Sequence, residues 1–305
     1  MLYYTLKRLG VAVLVAITVS VLSFSMIYLS GDPAVALAGE GASNEDIENV
    51  RRVYGFDRPI ILQYGSWLVQ ALQGNLGHSN YLKAPVASVI FERLPTTMLL
   101  GACSLAFALL LAIPLGVVAA IRPNSILDRV ALSVAVVGQA MPSFWFALTL
   151  ILWFGITWRL LPITGTDSWK NFIMPSMVLG YYLTPAVMRL TRAGMLEVLS
   201  SDYIRTARAK GLRPMTVLFK HALRNAIIPV VSLAAVQFGF MLGGSIVIET
   251  IFAINGLGYL MWESIQRADL PMMQAIVLVL SIFYILLTFL ADMLNAFLDP
   301  RIRVA

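Results

Sequence analysis

A basic segment, "DYIRTARAKGLRP", occupies residues 202–214 and holds the side chains best suited to ionic chemistry. Arg205, Arg208, Lys210 and Arg213 can each donate charge-assisted hydrogen bonds to carboxylates or phosphates. Such a segment can fix the orientation of a membrane protein, bind anionic lipid or dock on a soluble partner. These residues alone leave the three alternatives open.

Side chains for catalysis or metal binding are scarce elsewhere in the chain. The two histidines, His78 and His221, are far apart, and the single cysteine, Cys103, lies inside an apolar run. No Cys/His cluster has the spacing of metal ligands, and no glycine-rich phosphate loop, GxSxG turn or HExxH helix is present. We therefore expect no catalytic, metal-binding or cofactor-binding residue in this chain.

The composition indicates what kind of fold positions these residues. The chain has 305 residues, of which 59% are hydrophobic and 12% are charged, whereas soluble domains have about 45–50% and about 25%. Unbroken apolar runs longer than about 18 residues predict membrane-spanning helices rather than a barrel. We expect an all-α, polytopic membrane protein with about six transmembrane helices, at residues 9–29, 97–121, 130–156, 172–192, 226–248 and 273–295.

The distribution of charge predicts the orientation. Fourteen of the 22 Lys and Arg residues fall on the side that holds both termini and the 193–225 connection. Cytoplasmic connections retain such an excess, so we expect both termini inside and residues 30–96 outside. The first apolar stretch, at about 20 residues, is longer than the apolar region of a signal peptide, and we expect it to remain as the first span.

The outer segment, residues 30–96, has helical signals. Ser43 and Asp46 have the spacing of a capping box, and a second amphipathic helix is expected between Pro59 and Gly74. This segment can lie on lipid, pack on the protein's own spans or meet a partner. The predicted apolar face of the second helix consists of Ile60, Tyr64, Trp67, Leu68, Ala71 and Leu72.

A few polar side chains fall inside the predicted spans. At membrane depth they face protein or a water-filled path, so they either line a translocation pathway or bond neighbouring helices. No Asp, Glu, Lys or Arg lies near the middle of a predicted span, whereas ion-coupled carriers usually place one there. Asp292 lies near the inner end of the last span, within reach of Lys7 or Arg8. The candidate pathway residues are Gln139, Ser232, Gln237 and Ser245.

The basic segment itself has the pattern of a helical hairpin. Apolar residues at helical spacing predict a first helix, Gly211 suits a left-handed C-cap, and Pro214 suits the first turn of a second helix. A flexible loop would serve topology equally well, so the pattern indicates a structured projection from the inner face. The predicted apolar face of the first helix consists of Leu196, Leu199, Tyr203 and Ala207.

Motifs along nearly the whole chain resemble the ABC importer permeases of the dipeptide/oligopeptide/nickel family. The resemblance is carried by "EVLSSDYIRTARAKGL", "KHALRNAIIPVV" and "QFGFMLGGSIVIETIF". Further matching stretches occur in the same order: "GDPA" at 31–34, "YGFDRPIILQY" at 54–64, "RLPTTMLL" at 93–100, and residues 255–279. The chain departs from the family at Asn255, where relatives have proline before Gly-Leu-Gly.

The resemblance implies the type I importer fold and a location in the bacterial inner membrane. Residues 1–29 and 30–96 would precede a permease core at 97–298, with a coupling loop at 194–224, and a short tail at 299–305 would follow. The implied ATPase-coupling residues are Asp202, Tyr203, Arg205, Thr206, Ala207, Arg208, Ala209, Lys210 and Gly211.

The resemblance also implies the partners of the chain. These are the lipid bilayer, a homologous second permease, two cytoplasmic ATPase subunits that hydrolyse ATP, and an extracytoplasmic solute-binding protein, with no nucleic acid. The chain would not be an enzyme. Its expected solute is a short peptide, with glutathione, chelated nickel, an oligosaccharide or an opine as alternatives. A stand-alone secondary carrier or channel and a membrane scaffold are competing hypotheses.

Overall fold

The computed structural model describes residues 2–29, 31–39 and 41–298, and this part of the chain is helical without a strand. An isolated antiparallel bridge joins His78 and Pro85. The helices are α1 Leu2–Leu29, α2 Pro33–Ala38, α3 Asn44–Tyr54, α4 Ile60–Leu72, α5 Val86–Ile121, α6 Ile126–Ala140, α7 Ser143–Thr157, α8 Ile173–Leu199, α9 Asp202–Ala209, α10 Pro214–Ala226, α11 Ile228–Gly244, α12 Ile246–Ile251, α13 Leu257–Gln266 and α14 Leu270–Leu298.

Among the described residues, three helices are long and apolar enough to cross a membrane. They comprise residues Tyr3–Met26, Val86–Ile121 and Leu270–Phe297, and the bent pair of α10 and α11, 50° apart, makes a fourth if it is counted as one span. The other two predicted spans correspond to α6 with α7 and to α8. The structure is therefore that of an all-α, polytopic membrane protein.

Two predicted spans have the wrong extent. The span expected at 130–156 is broken, because α6 ends at Ala140, Met141 is extended, and Pro142 cannot continue the helix. The second span begins at Val86 rather than residue 97, and Pro95 lies inside this helix. The expected boundary between the outer segment and the core at residues 96 and 97 thus falls within α5.

The central core lies between α5 and α8. Gly116 of α5 lies so close to α8 that an added Cβ would stand 2.7 Å from Thr191 Cβ and 2.8 Å from the Met188 carbonyl oxygen. Ala108 and Ala112 precede Gly116 at four-residue spacing and are fully buried. This row of small residues lets the two backbones approach closely, as in other membrane helix pairs.

The first and last long helices pack together. Arg8 of α1 forms an ion pair with Asp292 of α14, 3.1 Å from nitrogen to oxygen, which confirms the contact expected for Asp292. Near the other end of α1, the Ser23 hydroxyl donates to the Gln274 carbonyl oxygen over 2.8 Å. These two contacts fix the register of α1 against α14.

The outer helices begin and end where the sequence predicts. Ser43 and Asp46 form the expected capping box of α3. α4 packs on α1 through its Tyr64 hydroxyl, which lies 2.7 Å from Ser20 Oγ. Its apolar face is narrower than predicted, since Ile60 and Leu72 are 55% and 80% exposed.

Candidate functional site

The helical hairpin at residues 202–226 is the most distinctive feature of the cytoplasmic side. α9 ends in a Schellman motif: the Gly211 N–H donates to the Arg208 oxygen over 2.9 Å, and the Leu212 N–H donates to the Ala207 oxygen over 3.4 Å. Gly211 has φ +74°, a conformation that glycine adopts without strain. Pro214 then begins α10 in its first turn, so the turn forms as the sequence predicts.

One side of α9 packs against the ends of the core helices. Ile204 and Ala207 are buried in an apolar cluster to which α5 contributes Val117, α8 contributes Met195 and α10 contributes Val217. These contacts join α9 to α5, α8 and α10 in one apolar cluster.

The predicted apolar face of this helix is wrong in detail. α8 ends at Leu199 and α9 starts at Asp202, so the intervening turn changes the helical phase. Tyr203 is 43% exposed, and Ile204 takes the buried position in its place. The Tyr203 hydroxyl accepts a hydrogen bond from Asn225 Nδ2 over 2.9 Å, which ties α9 to α10.

The exposed side of α9 is polar and mostly basic. Arg205 forms a surface ion pair with Asp202 at 3.2 Å, while Arg208 and Lys210 are exposed beyond them. The structure brings eight of the nine predicted coupling residues to this surface, and Ala207 alone of that set is buried. The eight are Asp202, Tyr203, Arg205, Thr206, Arg208, Ala209, Lys210 and Gly211.

An ion pair between a half-buried arginine and a buried carboxylate joins α8 to α6. Arg192 of α8 donates from Nε and Nη2 to the two carboxylate oxygens of Asp128, each over 2.7 Å, and the Asn124 N–H adds a third bond. Asp128 lies before the third predicted span, and these donors hold the pKa of its carboxyl below the usual range. Arg192 therefore joins α8 to α6 through Asp128.

A cavity of about 420 Å³ lies between the break of α6 and α7, α8 and α11. Its lining is mainly apolar, with Gln237 and Ser143 as polar members and Tyr182 and Phe240 as aromatic ones. The break at Pro142 forms one wall. This cavity suits a small solute with few polar contacts.

Two other candidate pathway residues lie elsewhere. Ser232 of α11 donates to the Asn295 side chain of α14, which makes it a contact between helices. Ser245 is buried and donates to Glu249. The Gln139 side chain lies outside the part of the structure that is described. Of the four predicted residues, Gln237 is the one placed at this cavity.

A buried carboxylate near the outer end of the fifth predicted span was missed by the sequence analysis. Glu249 accepts hydrogen bonds from Thr97 Oγ1 at 2.9 Å, Ser245 Oγ at 2.8 Å and the Tyr259 N–H at 3.0 Å. These bonds join α5, α12 and the start of α13. An added Cβ at Gly258 would stand 2.7 Å from Ile246 Cα, so glycine permits this approach. An acid within the apolar run "IVIETIF" was the available signal.

Comparisons with known proteins agree with this architecture. The model of the family described as binding-protein-dependent transport system inner membrane component matches residues 112–304. The model of the N-terminal membrane component of such systems matches residues 1–101. Among the residues that the structure describes, no three His, Cys, Asp or Glu side chains come together as a metal site.

The chain is also similar to individual proteins and to a solved structure. The chain is 42% identical over 304 residues to the glutathione transport system permease protein GsiC of Pectobacterium atrosepticum, covering 99% of each chain. The protein of that name from Escherichia coli K12 is 41% identical over 304 residues, again covering 99% of each. The inward-facing MetNI methionine ABC transporter matches 69% of this chain and 96% of its own, with a TM-score of 0.59 and 19% identity, which supports the fold.

The matches span the chain from the first helix to the last. The permease subunits of this family lie in the bacterial inner membrane as multi-pass proteins, and ATP hydrolysis belongs to partner subunits. The helical core, the broken third span and the basic hairpin fit that role. The chain therefore belongs to the binding-protein-dependent transport system inner membrane components, the permease subunits of ABC importers.

Proposed function

We propose that the solute of this importer permease is a short peptide of about tripeptide size, with glutathione as one member of the class. The two GsiC relatives are named as glutathione permeases, and they match over 99% of this chain. The cavity that contains Gln237, at about 420 Å³, lies within the usual range of small-molecule sites. Gln237 offers a hydrogen-bond donor and an acceptor, which suits a peptide group.

Uptake by the whole transporter tests the solute class. The chain is reconstituted in lipid vesicles with its cognate second permease, ATPases and binding protein. We expect ATP-dependent uptake of radiolabelled glutathione or trialanine, with each competing against the other, and no uptake of maltotriose. Accumulation of maltotriose or of a nickel chelate without peptide uptake would contradict the proposal.

The exposed face of α9 is, in this proposal, the surface that receives the ATPase. The main support is that α9 has two different sides. Its exposed side is basic, and its other side packs into the core through Ile204 and Ala207. The exposed side of α9 carries Arg205, Arg208 and Lys210 against a single acid, Asp202. Charge complementarity therefore predicts an acidic surface on the ATPase. Closure of two ATPases would then move α9 together with α5 and α8.

Reversal of one charge tests this contact. Arg208→Glu should weaken co-purification of the ATPase by about tenfold or more and reduce uptake, because it places like charges opposite one another. Arg52→Glu is the matched control for ATPase co-purification, since Arg52 is exposed on α3 in the outer segment, away from α9. Normal ATPase binding and uptake by the Arg208→Glu transporter would contradict the docking surface.

The remaining partners follow from the same proposal. The helix α6, which ends at the cavity, has an exposed apolar side, since Val130, Val134 and Val137 are 52%, 43% and 55% exposed. A homologous second permease packed near this face would complete the pathway. The outer helices α3 and α4 would face the solute-binding protein.

A further inference from the structure

One side of the outer helix α4 exposes large apolar side chains. Together with Gly65, these side chains recur at spacings of three, four and seven residues, which places them on one side of a helix. They form the apolar stripe of α4, which consists of Ile61, Leu62, Val69 and Leu72, and these residues are 79%, 61%, 54% and 80% exposed.

A different side of α4 packs on α1. The Tyr64 hydroxyl lies 2.7 Å from Ser20 Oγ. The Phe24 ring of α1 lies 5.5 Å from the Tyr64 ring and 5.7 Å from the Trp67 ring, centroid to centroid. Contact with the protein therefore accounts for one apolar side of α4 and leaves the apolar stripe open.

The position of the contact on α1 gives the depth of α4. Ser20 and Phe24 both belong to the apolar span Tyr3–Met26, whose outer end is Met26. Ser20 lies six residues before that end, which is about 9 Å along the helix. The Tyr64 side chain thus meets α1 at membrane depth, and α4 lies beside the outer part of the span.

The charges of the outer segment separate its two main helices. No Asp, Glu, Lys or Arg occurs between Arg58 and Lys83, so α4 is uncharged. By contrast, α3 has five charged residues among eleven. A helix that faces water usually carries charged residues on its exposed side. The exposed side of α3 therefore suits water, and the apolar stripe of α4 suits hydrocarbon.

The length of α4 allows insertion into one leaflet. It has 13 residues and is about 20 Å long at 1.5 Å per residue. The hydrocarbon core of a bilayer is about 30 Å thick, so α4 cannot cross it. A short apolar helix of this length suits a position at the membrane interface.

The end of α4 is closed by hydrogen bonds within the chain. The carbonyl oxygens of Val69, Gln70 and Ala71 accept from the N–H groups of Gln73, Asn75 and Gly74, over 3.2, 3.0 and 3.0 Å. Gly74 has φ +83°, which permits this turn. Hydrocarbon supplies no hydrogen-bond partners, so these internal bonds make the helix end compatible with the membrane.

We propose that the apolar stripe of α4 contacts the acyl chains of the outer leaflet, so that α4 is an interfacial helix inserted beside α1. Its partner is lipid, and its role is to hold the outer segment against the membrane. The exposed polar side chains Ser66 and Gln70 face water and stay available to a protein on the outer side. The proposal does not depend on the identity of the solute.

Fluorescence quenching measures the depth of the apolar stripe. The full-length chain with Cys103→Ser and Val69→Cys is labelled with the fluorophore NBD, assembled with its partner subunits and placed in lipid nanodiscs. A phospholipid with a nitroxide on its acyl chain quenches the label from within the hydrocarbon. Iodide quenches it from water.

Val53→Cys is the matched control, because Val53 is a valine 80% exposed on the charged helix α3. The Val69 label should be quenched by the nitroxide lipid at least about twofold more strongly than the Val53 label, and by iodide at least about twofold less. Gln70→Cys, on the polar side of α4, should behave as Val53→Cys does. Leu14→Cys, 67% exposed in the α1 span, is the reference for a lipid-facing position.

Two results would overturn the proposal. Equal quenching of the Val69 and Val53 labels by iodide would show that the apolar stripe faces water. Protection of the Val69 label from iodide, without quenching by the nitroxide lipid, would show that a protein surface covers the stripe. All four cysteine variants replace exposed side chains, and each is checked by its unfolding temperature.

Discussion

Replacement of Gly211 isolates the geometry of the hairpin from its surface chemistry. A Cβ added at Gly211 would meet nothing within 4 Å, so a new side chain causes no clash. The change acts only through the backbone, whose φ of +74° costs an L-residue roughly 1–2 kcal/mol. That energy lowers the ratio of correctly turned to unturned hairpins about 5- to 30-fold. Gly211→Val should reduce uptake and ATPase co-purification by up to this factor.

Asparagine provides the matched substitution, because it tolerates the left-handed conformation far better than valine. Gly211→Asn should support uptake within about twofold of the wild type. Both variants are measured in vesicles that contain the whole transporter, at equal amounts of permease. Full uptake with Gly211→Val, or equal loss with both variants, would refute the argument that the turn positions α9.

Three further substitutions test the packing of the core. Gly116→Ala should lower the unfolding temperature, because the added methyl would stand 2.8 Å from a carbonyl oxygen of α8. Such overpacking costs about 1–3 kcal/mol. Gly10→Ala is the control and should leave the unfolding temperature unchanged, because a Cβ there meets nothing within 4 Å. Glu249→Leu should lower the free energy of unfolding by about 1–3 kcal/mol for each buried donor that it leaves unpaired. Glu92 is exposed, and Glu92→Leu should leave the stability unchanged. Equal unfolding temperatures of the two variants would contradict this. The pKa of the Asp128 carboxyl is lowered by its donors, so this carboxylate stabilises the folded protein above about pH 4. That stabilisation is lost as the pH falls through the lowered pKa. The difference in unfolding temperature between Asp128→Asn and the wild type should therefore narrow below about pH 4, and a constant difference would contradict the ion pair.

Local signals predicted the parts of the fold that depend on neighbouring residues. The Ser43–Asp46 capping box, the left-handed Gly211 and the start of α10 at Pro214 all form as expected. Each depends only on contacts and backbone geometry within one turn of helix. The composition likewise indicated helical spans, because apolar runs of that length have few alternatives.

Helix phase and extent were harder to predict. The short turn between Leu199 and Asp202 rotates α9, so Ile204 rather than Tyr203 is buried. The residue types of this turn, Ser200 and Ser201, do not indicate how far α9 is rotated relative to α8. The second span was expected to begin at residue 97, yet α5 begins at Val86 and continues through Pro95, since packing on α13 and α14 holds its first turns in place.

Polar contacts between distant residues could not be read from the sequence. Ser232 and Ser245 were candidates for a pathway, but each bonds another side chain of the protein. Glu249 becomes notable only when Thr97 and Tyr259, which are distant in sequence, approach it. The pathway prediction therefore rests on Gln237 and on the break at Pro142.

Site-specific crosslinking tests the central claim, that the exposed face of α9 contacts the ATPase. With Cys103 replaced by serine, Thr206→Cys places one thiol on that face, and Ser66→Cys places one on the exposed outer helix α4 as a control. The account predicts that a short bifunctional crosslinker joins Thr206→Cys, and not Ser66→Cys, to the ATPase in an uptake-competent transporter. Crosslinking of neither thiol while uptake remains intact would contradict it.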